Sequence, residues 1–324
     1  MFVTNYFKLV ICFSLLVKTV WAFGPEDEFG NNYAKPNKEL INEVSISTDE
    51  KFRYFSANGI PDHRYGKFPN RNNPHEIKAQ NYEFKVALQP YLSGEVTSVA
   101  KNLFGIALNG VVFDPATNEY WQNDKKSGWQ YSAFSRQRNL GVDRQNAHVQ
   151  PNGAYHYHGL PRALLRKRRG QPKLIGYAAD GFPIYGLYGY KDKNDKDSEV
   201  IKLVSSYQLK QGLRPADSPK GKYDGNFIQD YYYEHASGDL DRCNGRSGIT
   251  NEYPEGTYYY VITEAFPYVP RCFKGTPDKS FINKKGSGRN LHQHYHYHLN
   301  EQGDKRPRLH QQRSPASFEE YYNQ

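Results

Sequence analysis

From about residue 44 to about residue 282 the chain alternates between short apolar or aromatic runs and clusters of Gly, Pro and Asn. Residues 51–55, 82–88, 104–113 and 257–263 are each of strand length, rich in aromatic and β-branched side chains, and closed by a turn signal. Few windows carry a 3.6-residue period. The best short helix is 161–168, with Pro161 at its start and Gly170 beyond its end. Asn109 and Gly110 separate two apolar triplets, a pattern that predicts a two-residue hairpin turn, because both residue types tolerate positive φ. The pattern as a whole predicts a mostly β protein. It would be a single large domain of packed antiparallel sheets, with long ordered loops and few short helices.

The two ends read differently. Lys8, an apolar run over 9–17 and the small-x-small pair Val20 and Ala22 describe a signal peptide over 1–22. A membrane-spanning helix needs about 20 apolar residues, more than this segment offers between its lysines. The chain is therefore expected to be exported, secreted or periplasmic, with no transmembrane anchor after cleavage. Residues 23–44 read as a flexible arm, 45–282 as the folded domain and 283–324 as a basic, His-rich, disordered tail.

The formal charge is +9, and cleavage would remove Lys8 and Lys18 from it. The remaining basicity gathers at 166–169 and in the tail, a solvated surface suited to anionic extracellular or envelope polymers. No nucleic-acid recognition fold accompanies it. Residues 191–199 imitate a calcium loop, but Lys196 stands at a ligand position and the required glycine is missing, so the stretch reads as solvated. Cleavage leaves two cysteines, Cys243 and Cys272. An even count in an oxidising compartment points to a disulfide, with two buried free thiols as the alternative.

Candidate chemistry concentrates in residues 146–161. The turn signal Pro151-Asn152-Gly153 precedes Tyr155, His156, Tyr157 and His158, and side chains two apart on a strand share a face. His156 and His158 would then point one way and the two tyrosines the other. His148, across the turn, is placed to fold back as a third nitrogen ligand. The alternative is a set of structural histidines bonded to backbone groups. A second alternating tract, His292, His294, His296 and His298, lies in the tail and would chelate metal adventitiously. HExxH, the GxSxG elbow, the P-loop and the dinucleotide fingerprint are all absent. Asp239 and Asp241 resemble a glycosidase acid pair but fit turn capping better.

Residues 148–161 and 174–185, with 58–63, 223–227, 238–241, 244–246, 253–258 and 266–271, resemble the signature of the YHYH protein family over roughly 45–282. The resemblance implies an exported protein and assigns it no activity. It adds two candidate ligands: His63, after the turn-forming Pro61 and Asp62, and Asp180, in a bend forced by Gly181 and Pro183. An exposed loop histidine and an Asx-turn are the competing roles for these two. Three imidazoles and a carboxylate would suit one transition-metal ion, with zinc or copper foremost and iron also compatible. Three functions stay open: an exported metal-binding protein, a zinc-type hydrolase with Asp180 as base or ligand, and a polysaccharide or envelope-polymer binding module. The 28 tyrosines would supply stacking faces for the module but are equally expected of a β core.

Overall fold

A computed structural model describes residues 40–282, except 100, 101 and 169 and the side chains of 167 and 168. The expected signal peptide, most of the arm and the tail lie outside the described residues. The described part belongs to one compact unit and is mostly β. Among the described residues no helix is long and apolar enough to cross a membrane.

The backbone of the fold is an eight-stranded mixed sheet. From edge to edge it runs Gly245–Gly248, Thr257–Ile262, Pro183–Gly186, Lys173–Ala178, Gly105–Ala107, Val112–Phe113, Tyr155–Tyr157 and Ala147–Val149. Most pairs are antiparallel, as the short connections favour. Two are parallel, Val112–Phe113 with Tyr155–Tyr157 and Pro183–Gly186 with Thr257–Ile262. A three-stranded antiparallel sheet of Val44–Thr48, Phe52–Ala57 and Tyr82–Ala87 accompanies it, with three two-stranded ribbons.

Strand Thr257–Ile262 shows why the sequence reads as an uninterrupted aromatic run. Tyr258, Tyr260 and Ile262 enter the main core, while Tyr259 and Val261 enter a second cluster with Tyr185, Leu203 and Leu240. A strand covered on both faces has no polar alternation to show. Phe104 anchors the main core, with its ring 5.0 Å from Tyr260 and 5.4 Å from Phe273. Phe281, stacked 4.3 Å from Phe84, carries that core almost to the end of the described chain. Each such ring removed from water is worth roughly 1.5–3 kcal/mol.

Near the other end, Leu40 packs on the core and Asn42 Nδ2 donates to the Asn109 carbonyl at 2.8 Å. The last residues of the expected arm are thus engaged. Cys243 and Cys272 form a disulfide with Cα atoms 5.2 Å apart. The short helix appears as a 3-10 helix over Arg162–Arg168, and residues 191–197 are solvent-exposed.

The hairpin at Asn109-Gly110 differs from the expectation. Ile106 pairs with Val112, and Ala107 N–H donates to the Val111 carbonyl at 2.8 Å, so the loop holds three residues, 108–110. Only Gly110 has positive φ, at 81°. Asn109 is occupied otherwise, its amide donating to Asp62 and to the Tyr157 hydroxyl. A three-residue loop needs one left-handed position rather than two.

The turn at 151–153 repeats this design. Gln150 N–H donates to the Ala154 carbonyl at 2.9 Å, and Gly153 has φ 89°. A Cβ on Gly153 would stand 2.5 Å from Lys78 Cβ. Gly153→Ala should therefore lower stability by roughly 1–3 kcal/mol through combined backbone strain and collision. Urea unfolding of the variant checks this, and an unchanged midpoint would contradict it.

Candidate metal centre

The site begins with strand register. Ala147–Val149 pairs antiparallel with Tyr155–Tyr157, and His148 stands directly opposite His156. Directly paired residues project to the same face, and His158 rejoins that face two residues on. The three rings converge with centroids 4.6–4.7 Å apart. The Nε2 atoms of His156 and His158 are 2.9 Å apart, and those of His158 and His148 are 3.0 Å apart. Two bonds of about 2.0–2.1 Å to one tetrahedral ion would span roughly 3.3 Å, so the ligand atoms stand slightly closer than a bound ion would set them. His156 and His158 are buried and His148 is half-buried, leaving the approach to the group on the His148 side.

The opposite ring nitrogens determine the tautomers. His148 Nδ1 lies 2.9 Å from the Leu140 carbonyl and His156 Nδ1 lies 3.1 Å from the Ala154 carbonyl. A carbonyl only accepts, so each Nδ1 carries a proton, and in the neutral ring Nε2 keeps the lone pair. His158 Nδ1 is buried without a partner in good hydrogen-bond geometry, the Asp114 backbone supplying a weak polar contact there. His158 Nε2 therefore stands 2.9–3.0 Å from the other two Nε2 atoms, and a proton on it can serve only one of them at a time. Burial, followed by His156 and His148 and then by Arg271, holds His158 well below the ordinary histidine range. A cation bound between the nitrogens would satisfy all three. A carbonyl-anchored Nδ1–H is also the usual outer support of an imidazole ligand.

On the other face, Tyr155 and Tyr157 are buried at 1% and 0% exposure. Tyr155 donates to Asp143 at 2.8 Å, and Tyr157 receives the Asn109 amide at 3.0 Å. His63 belongs to this face. Its Nε2 lies 2.6 Å from the Tyr157 hydroxyl and its Nδ1 2.9 Å from the Arg64 carbonyl. The structure does not bring His63 to the imidazole cluster, because alternation places its partner Tyr157 on the far side of the strand.

Asp180 is also apart from the cluster. Its carboxylate accepts from the Tyr260 hydroxyl, from Gly275 N–H at 2.9 Å and weakly from Phe182 N–H at 3.3 Å, which is the Asx-type role. Among the described residues the three-histidine group is the one whose ligand atoms gather closely enough for a metal.

Two contributors escaped the sequence reading. Val112 and Phe113 pair in parallel with His156 and Tyr157, so one step further Asp114 aligns with His158 on the imidazole face. Phe113, on the other face, packs 5.4 Å from Tyr157. Gln150 continues the His148 face and donates to Asp114 Oδ2 at 3.3 Å. Asp114 is 6% exposed. The available signal was an acid closing the apolar run 111–113, just before Pro115.

The family model described as YHYH protein matches residues 83–275, more than half of the chain. It includes every member of the histidine cluster, whereas the 58–63 stretch with His63 falls outside it. No curated protein and no solved structure matches the chain.

Burial pushes the Asp180 carboxyl up to about 6, with the Tyr260 and Gly275 bonds opposing. The native state thus holds a proton that the unfolded chain releases near 3.8. Stability from this group is complete below that value and lost as pH rises through about 6, a swing of roughly 3 kcal/mol by pH 7. Asp180→Asn should gain on the wild type by up to about that amount between pH 4 and pH 7. Denaturant unfolding at the two pH values measures it. A difference independent of pH would contradict the buried-carboxyl role.

Proposed function

Since the chain belongs to the YHYH protein family and its signature strand carries three converging imidazoles, we propose that it is an exported protein holding one transition-metal ion on Nε2 of His148, His156 and His158. The observation that carries this reading is the convergence of three Nε2 atoms, two of them on rings whose Nδ1 atoms are bonded to backbone carbonyls. Neutral imidazoles suit zinc and copper. Among the described residues no thiolate competes, since Cys243 and Cys272 are bound to each other. The disulfide fits an oxidising, extracellular setting, which supports export.

A hydrolytic role for the same site has one specific observation in its favour, the placement of Asp114 and Gln150 on the imidazole face. A bound ion would supply Lewis acidity and a water of lowered pKa. In this reading Gln150 orients the Asp114 carboxylate, and Asp114 orients what enters beside His158. Arg271 donates to the Pro115 carbonyl at 2.9 Å and places a positive charge near His158, which would favour an anionic substrate at an ion bound there. His63 and Asp180 act as structural groups.

The test is zinc and copper titration of the full chain at neutral pH by calorimetry, comparing the wild type with His156→Ala and His63→Ala. The tail histidines contribute equally to all three proteins, so His156→Ala should lose one tight site and His63→Ala none. Saturating metal should raise the melting temperature of the wild type and of His63→Ala only, because a ligand bound to the native state stabilises it by mass action. Equal stoichiometry and equal thermal shifts in all three proteins would defeat the reading.

A further inference from the structure

The sheet edge opposite the histidines carries a second feature. Strand Gly245–Gly248 borders an open groove of about 360 Å³, within the size range of small-ligand sites. Lys193, Tyr233, Asp241, Arg246, Tyr258 and Lys274 line it. It shares no residue with the imidazole cluster.

The acids and the cations of this groove are differently engaged. Asp241 accepts from Cys243 N–H at 2.9 Å, from Gly245 N–H at 3.1 Å and from the Tyr258 hydroxyl at 3.0 Å. Asp239, also at the rim, accepts from Val204 N–H at 2.7 Å. Both carboxylates thus accept backbone N–H groups in closing turns.

The cations retain donors. Lys193 is exposed, and its ammonium contacts no described residue. Lys274 is 3.8 Å from Asp241 with about a third of each side chain exposed, a loose pair worth little by itself. Arg246 is oriented by bonds from Nε to the Tyr259 hydroxyl and from Nη2 to the Tyr190 carbonyl, leaving Nη1 for a ligand. The disulfide sets the spacing. Asp241 lies two residues before Cys243 and Lys274 two residues after Cys272, so the crosslink holds the Arg246 turn against the Lys274 strand.

Three donor cations, a half-buried tyrosine ring at position 233 that already carries the Arg242 guanidinium 5.1 Å from its centroid, and an open floor whose carboxylates accept bonds from turns have a definite complement. It is a ring with hydroxyls, one apolar face and a carboxylate. We propose that this groove binds a uronic-acid unit of an acidic polysaccharide, independently of the metal site.

The test is calorimetric titration of the full chain with a short oligogalacturonate, against a neutral glucose oligomer of the same length and an oligoglutamate of the same charge. Lys193→Met with Lys274→Met should weaken oligogalacturonate binding about tenfold, whereas Lys274→Arg alone should retain it. The basic tail is unchanged in every variant, so this difference isolates the groove. Binding should survive chelation and His156→Ala, which separates its fate from that of the metal reading. Any one of four results would overturn the proposal: wild-type affinity in the double variant, equal affinity for oligoglutamate, no binding by folded wild-type protein, or loss of binding on chelation.

Discussion

The pairing of His148 with His156 is the contact on which the rest of the site depends. Strand side chains alternate with a period of two, so a slip of one residue would exchange the imidazole and tyrosine faces wholesale. The register is guarded from both ends. The loop at 151–153 closes one end through Gly153, and His158 N–H donates to the Asn146 carbonyl at 2.8 Å at the other. The tyrosines lock it from behind, since Tyr155 finds Asp143 and Tyr157 finds Asn109 and His63 in this register. The second tyrosine and the second histidine of the YHYH motif are therefore parts of one device. One face is anchored while the other holds His158 Nε2 2.9–3.0 Å from the Nε2 atoms of His156 and His148.

The same device recurs across the core and accounts for the abundance of tyrosine. Tyr155 meets Asp143, Tyr258 meets Asp241, Tyr260 meets Asp180 and Tyr185 meets Glu252. Each ring removes apolar area from water while its hydroxyl bonds a carboxylate, buried at Asp180, half-buried at Asp143 and Asp241 and exposed at Glu252. Tyrosine in this protein is chiefly a core residue with a polar tip. Rings left exposed at the surface, such as Tyr91, are the exception.

The eight-stranded sheet separates two kinds of chemistry. At one edge imidazole nitrogens converge in a largely buried cluster, where burial disfavours a proton on His158. At the other edge ammonium and guanidinium groups remain near solvent over turns closed by their own carboxylates. The disulfide belongs to the second edge, where the connections are long and a covalent tie limits how far the turn and the strand can separate.

Much of this was legible in the residues themselves. Short β-branched and aromatic runs ending in Gly, Pro and Asn led to a β fold. Alternation through 155–158 determined which side chains share a face, and the even cysteine count led to the pair at 243 and 272. These are local properties, set by backbone geometry and compartment. Other choices belonged to the tertiary structure. His63 and Asp180 read as ligands by type, but which face a loop histidine reaches depends on strands far away in sequence, and those bring His63 to Tyr157 and Asp180 to Tyr260. Asp114 joined the imidazole face only through a parallel pairing of strands more than 40 residues apart, which no local pattern encodes. The hairpin at 108–110 holds three residues, with Asn109 bonded to a tyrosine distant in sequence. The sequence by itself determined the faces of each strand. Long-range pairing decided which faces meet, because the hydrogen bonds that join strands are identical along every backbone and only packing chooses among them.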